Sequence, residues 1–184
     1  MSPDRSSLDR FIEKLPEFFA GDAIKIEKVK FPGKTEANWD SPARQIMRQK
    51  FEVWLKQELN LQAVDIEETL FVEGLFGDLP EGTHGKFFGS ICCPDLAVKS
   101  DDGYTIAIEL DRGSSGARLR NALTKASFNV IAGGFDRSVV LFFVEIKDRK
   151  QRETKFDPNH PILKLFEEKF STSVLFVTNY DPSP

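Results

Sequence analysis

The chain has 184 residues, 40% hydrophobic and 29% charged, with a formal net charge of -4. That describes a single globular domain able to bury roughly 70% of its unfolded surface. It excludes a basic coat that would bind nucleic acid along the whole surface, while a local basic groove stays open.

In chain order, Ser6 to Ala20 reads as a helix, with Phe11, Leu15 and Phe18 or Phe19 at helical spacing, Gly21 as its stop, and Pro16 as a kink or early break. Ala23 to Phe31 alternates as a weak strand, and Phe31 to Asn38 reads as a loop. Gly33-Lys34-Thr35 lacks the glycine that a phosphate-binding loop requires five residues earlier, where Lys28 stands. Ser41 is the expected cap of a helix that has Pro42 at its first position and runs to about Leu59. Its buried stripe is Ala43, Met47, Phe51, Trp54 and Leu55. Leu61 to Gly74 reads as a long strand, and Leu75 to Gly85 as a loop. Lys86 to Cys93 leads into a hairpin over Pro94 to Asp111.

After the hairpin, Gly113-Ser114-Ser115-Gly116 opens a helix that runs to about Ile131 and stops at Gly133-Gly134. Ser138 to Ile146 is a near-continuous apolar strand of the kind buried on both faces. Lys147 to Lys155 is a charged connector, read as solvated rather than as a nucleic-acid contact. Pro161 to Phe170 is a helix, Thr172 to Val177 a last strand, and Asp181 to Pro184 a frayed tail. The 17 phenylalanines point to a core packed with rings. The adjacent Cys92 and Cys93 suit neither a disulfide nor a zinc site, so buried reduced thiols in a reducing compartment are expected. The N-terminus has no signal-peptide core, and the longest apolar run, Val139 to Val144, is far short of a membrane span. A cytoplasmic protein with no membrane association is expected.

The stretch Pro94 to Asp111 alternates with period two on both arms. Folded about Asp102, with Asp101-Asp102-Gly103 as the turn, it sets Leu96 against Ile108, Val98 against Ile106 and Asp95 against Glu109. The apolar residues then share one face, and Asp95, Glu109 and Asp111 share the other. Like charges directly opposite each other on a sheet are destabilising. A hard divalent cation would remove the conflict. The competing account is an acidic face turned to solvent.

At these residues the chain resembles the PD-(D/E)xK phosphodiesterase superfamily, with its restriction-endonuclease-like fold. The motif is Pro-Asp, a short hairpin, then an acid, any residue and Lys. Pro94-Asp95 is present, Glu109 stands at the second acid, and Asp111 stands where Lys is expected. The resemblance covers about Ser41 to Ile146, the central three-fifths of the chain. It implies an α/β core of helix, three strands, helix and strand, with a central mixed sheet flanked by helices. Residues 6–20 and 161–177 would be additions to a single domain. It also implies Mg²⁺ or Mn²⁺ held by Asp95 and Glu109, with Asp111 as a further ligand or in the lysine's role.

On the helix after the hairpin, Leu119, Leu123, Ala126 and Val130 form the stripe expected to lie on the sheet. Arg118, Ala122, Lys125 and Asn129 form a second stripe that could overhang the carboxylates. Lys125 is therefore the candidate for the missing lysine, steadying the attacking water or the phosphorane charge. A plain solvated face for Arg118 and Lys125 has equal standing. Arg112, Ser115 and Arg118, around the start of this helix, are candidate phosphate contacts, although Ser115 as an ordinary cap needs no ligand. Glu52 is a weaker metal-ligand candidate from the earlier helix. His84 and His160 read as loop histidines.

The expectation is a metal-dependent nuclease acting on nucleic acid, DNA first, with a homodimer left open. The alternative is a catalytically inactive nuclease-like module that binds nucleic acid or a protein. A third class is a structural subunit whose acidic face docks a basic partner.

Overall fold

A computed structural model describes residues 3–19, 27–31, 34–38, 40–58, 66–146, 151 and 155–178. The elements are α1 (Arg5–Phe18), β1 (Glu27–Phe31), β2 (Lys34–Asn38), α2 (Asp40–Glu58), α3 (Ile66–Thr69), β3 (Leu70–Val72), β4 (Lys86–Phe87) and β5 (Ser90–Ile91). They continue with β6 (Leu96–Lys99), β7 (Thr105–Gly113), α4 (Gly116–Ile131), β8 (Arg137–Val144), α5 (Pro161–Phe170) and β9 (Thr172–Val177). The architecture is α/β, a five-stranded mixed sheet in the order β3-β6-β7-β8-β9 flanked by helices. β3, β6 and β7 pair antiparallel, while β7, β8 and β9 run parallel.

The sheet divides its side chains by parity. Leu96, Val98, Ile106, Ile108, Leu110, Val139, Leu141 and Phe143 enter the larger core with α1 and α2. That core is rich in rings: Phe11 packs on Phe18, Phe51 and Trp54 at 5.5, 4.7 and 5.1 Å between centroids. The opposite face of β8, with Val140, Phe142 and Val144, packs on Ala122 and Ala126 of α4. β8 is thus apolar from Val139 to Val144 because both its faces are covered there. The predicted stripe of α2 is buried at every position from Ala43 to Leu55. α1 continues through Pro16, which falls near its C-terminal end. The missing N–H and the ring cost one bond to the preceding turn, at Ile12, and the helix ends two residues later.

Four expectations need correcting. Lys34 to Asn38, expected as loop, is instead β2, paired antiparallel with β1 from Glu27↔Asn38 to Phe31↔Lys34, while residues 32–33 lie outside the described set. α2 begins at Asp40, so Ser41 lies inside it. The long strand expected over 61–74 shrinks to Leu70–Val72, preceded by the helical turn of α3; residues 61–65 lie outside the described set. β3 is short because β6, the strand it pairs with, spans four residues, and because Gly74, at φ +70°, turns the chain away. Cys92 and Cys93 are free but only partly buried, since they leave a small hairpin, β4–β5, that stands apart from the main sheet. Most of the charged connector and the tail also lie outside the described residues. Among the described residues no helix is long and apolar enough to cross a membrane.

Candidate functional site

The hairpin β6–β7 has the register read from its alternation. Leu96 pairs with Ile108 and Val98 with Ile106, and one step further sets Asp95 opposite Glu109. The turn closes through Ser100, whose N–H donates to Tyr104 O at 2.9 Å, with Gly103 at φ +86°. Asp95 and Glu109 are nearly sealed from solvent, at 4% and 2% exposure.

Each carboxylate is held by a different element. Leu110 N–H donates to Asp95 Oδ2 at 2.7 Å, and the guanidinium of Arg44 on α2 pairs with Asp95 Oδ1. Arg44 also reaches Glu73 Oε2 at 2.6 Å and the Glu73 carbonyl at 3.2 Å, so it bridges two acids. From α4, Asn129 Nδ2 donates to Glu109 Oε1 at 2.8 Å, and Lys125 Nζ lies 2.5 Å from Oε2. Oε2 is a buried oxygen whose partner is the Lys125 ammonium.

Burial, with the Asp95 charge next in weight, pushes the Glu109 carboxyl up to about 7 against the opposing pull of Lys125 and Asn129. Burial draws the Lys125 ammonium down, but the charges of Glu109, Asp95 and Glu73 outweigh it, and its pKa is raised. The neighbouring Cys93 thiol is pushed up to about 11, first by burial and then by the Glu73 charge. It remains a neutral thiol here.

A polar cavity of about 640 Å³ opens over this arrangement. Its lining includes Arg44, Asp95 and Lys125 together with Asp111, Arg112, Ser115, Arg118 and Glu145. Asp111 is at the cavity wall, where its Oδ1 accepts from Arg112 N at 2.7 Å. Arg112 reaches across to Glu145 at 3.3 Å. Ser115 caps α4, accepting from Arg118 N at 3.4 Å. Gly113 allows the end of β7 to approach that first turn, since a Cβ there would stand 3.1 Å from the Arg118 side chain.

The structure thus brings Asp95, Asp111, Lys125, Arg112, Ser115 and Arg118 to one cavity, with Glu109 sealed behind Lys125. Asp95, Glu109 and Asp111 do not close into a cage: among the described residues no three His, Cys, Asp or Glu side chains gather closely enough to hold a metal by themselves. Glu52 pairs with Lys56 at 2.7 Å and is not part of the cavity lining. His84 is exposed, and His160 caps α5 through Nδ1.

Arg44 and Glu73 are the site residues that the sequence did not assign, while Asn129 lies on the stripe expected to overhang the carboxylates and does reach Glu109. Arg44 carried a usable signal. At about 100° per residue it falls within about 20° of Phe51 and Leu55, a charge set inside the buried arc toward one edge. No protein-family model matches the chain, and no curated protein matches it significantly.

Proposed function

We propose that the chain is a divalent-metal-dependent nuclease that hydrolyses nucleic-acid phosphodiester bonds, built on a restriction-endonuclease-like core. The observation that carries this reading is the pair of buried carboxylates, Asp95 and Glu109, with the Lys125 ammonium against one of them at the edge of a polar cavity. With the short α3 and the separate β4–β5 hairpin set aside, the order α2, β3, β6, β7, α4, β8 supports it, since it follows the helix, three-strand, helix, strand order of the resembled fold.

Mg²⁺ or Mn²⁺ fits the donor set. Both acids offer hard oxygens, Glu109 Oε2 is paired only with the half-exposed Lys125 ammonium, and Mg²⁺ commonly takes one or two carboxylates with waters and substrate phosphate completing its shell. Asp95 and Glu109 would hold the ion, with Asp111 as a further ligand or in the lysine's role. Bound there, it would supply an activated water and polarise the phosphate.

The chain's own residues do the rest. Leu110 N–H and Arg44 fix the orientation of the Asp95 carboxylate. Lys125, delivered from α4 in place of the motif lysine, steadies the attacking water or the developing phosphorane charge. Arg118, Ser115 and the first turn of α4 receive the scissile phosphate, where N–H groups and the helix dipole favour an anion.

One observation favours the alternative, a nuclease-like module that binds without cutting. Arg44 and Lys125 already balance both carboxylates within the protein. Incubation with plasmid, single-stranded DNA and RNA in Mg²⁺ or Mn²⁺ separates the two. Cleavage that Glu109→Gln abolishes is expected, and equal inertness of both proteins would hand the site to the binding module.

A further inference from the structure

The β4–β5 hairpin puts rings in water beside the candidate site. Phe88 is 93% exposed, Phe87 43% and Ile91 51%. The turn residues Phe88 and Gly89 have φ of +48° and +83°. A two-residue hairpin turn of that hand takes Asn, Asp or Gly first, and a phenylalanine there is strained. The sequence accepts both the strain and the exposure to hold a ring at the tip.

The base of the hairpin is fixed. Gly85 N–H donates to Gly133 O at 3.3 Å, and Cys92 N–H to Gly85 O at 3.0 Å. A Cβ on Gly85 would fall 1.5 Å from the Ala132 carbonyl oxygen, so only glycine permits this approach. The Phe87 ring packs on Phe128 of α4 at 4.4 Å between centroids, one helical turn from Lys125. Between them a cleft of about 210 Å³, largely apolar, is lined by Phe87, Ile91, Phe128 and Lys125. Lys125 also borders the polar cavity, so phosphate chemistry and aromatic surface share one side chain.

We propose that this hairpin is a stacking platform for an unpaired base, which makes single-stranded or locally unpaired nucleic acid the substrate class. The position of the phosphate at Lys125 rests on the nuclease reading, whereas the stacking itself does not. A strand whose phosphate meets Lys125 sets the adjoining base in the Phe87–Ile91 cleft, with the Phe88 ring against a further base. Exposed rings beside a cation are how proteins hold single strands irrespective of sequence. A paired duplex keeps those base faces inside. Three exposed side chains are few for a stable protein interface, which enlists roughly 20–30 residues a side.

The test is binding of a short fluorescein-labelled single strand and of its duplex to the full chain, by anisotropy in EDTA, so that nothing is cut. The single strand should bind more tightly than the duplex. Phe88→Ala should weaken single-strand binding about 5- to 150-fold and leave duplex binding unchanged. Phe88→Trp should retain affinity, and Phe88→Leu should behave as Phe88→Ala. Equal binding of strand and duplex would overturn the proposal, as would Phe88→Ala that binds the strand like wild type. So would a dimer in sedimentation that Phe88→Ala dissolves, which would assign the rings to a second copy. A protein that passes the binding test but cuts nothing in Mg²⁺ or Mn²⁺ keeps the platform and loses the nuclease reading. One that cuts but fails the binding test does the reverse.

Discussion

Lys125 on α4 and Glu109 on β7 meet at 2.5 Å, the lysine side chain 58% exposed and the carboxylate 2%. One partner is largely in water and the other almost wholly out of it. Removing either therefore has different consequences for stability and for chemistry.

Lys125→Ala should lower turnover by two or more orders of magnitude, as the loss of a positioned electrophile does. Its effect on folding should depend on pH. Without the ammonium the Glu109 carboxyl rises further above its value of about 7, so near pH 6 it is simply protonated and the fold loses little. Near pH 8.5 the substitution should be measurably destabilising. Turnover assays with thermal melts at both pH values check this, and normal turnover would remove Lys125 from the mechanism.

The Glu109 carboxyl also sets a sign for stability in the metal-free protein. Its folded value of about 7 lies above its ordinary value of 4.5. Between these the folded state keeps a proton that the unfolded chain has released, so stability falls as pH rises across the window and levels off above it. The ceiling on the fall is on the order of 3 kcal/mol. Glu109→Gln should flatten that part of the profile. Chemical denaturation from pH 4.5 to 8 measures it, and a wild type that gains stability over this interval would contradict the burial argument.

Much of the site can be read in the sequence because period two survives intact from Leu96 to Leu110. The alternation sets strand, face and register together, and Asp95 follows Glu109 into position. Lys125 and Asn129 were reachable because residues four apart share a helix face. The place of Arg44 within the buried arc of α2 was legible too, but its meeting with Asp95 and Glu73 was not, since that depends on how α2 docks against β3, and local periodicity does not encode docking. The shrinkage of β3 has a similar origin: its length is set by what β6 offers as a partner, which the apolar content of 61–74 does not reveal.

Arg44 lies over Asp95 with its side chain 17% exposed. Arg44→Met keeps much of the volume and leaves a buried carboxylate without its counter-charge, a change that costs about 3 kcal/mol or more when the pair is desolvated. For a chain of this length the melting temperature should drop by roughly 6–12 °C. Asp95→Asn combined with Arg44→Met should recover part of the loss. A double-mutant cycle by denaturant unfolding should give a coupling above about 1 kcal/mol. Strict additivity would mean that Glu73 alone holds the arginine.

Lys125 and a divalent cation compete for the same carboxylate, and this predicts opposite signs for binding and for turnover. In the wild type the ammonium already sits beside Glu109 Oε2, so metal must displace or share it. Metal bound by the folded state alone stabilises by about 1.4 kcal/mol at ten times its dissociation constant, a rise in melting temperature of roughly 3–6 °C. Lys125→Ala removes the competitor while keeping both acids, so it should bind Mn²⁺ more tightly than wild type and show a larger thermal shift, although its turnover falls. Glu109→Gln removes the anionic ligand and should show almost no shift. Scanning fluorimetry with EDTA and graded Mn²⁺ on the three proteins decides it. A wild type indifferent to saturating Mn²⁺ would remove the metal from the site, and a Lys125→Ala protein with weakened Mn²⁺ response would mean that the lysine organises the acids rather than competing for them.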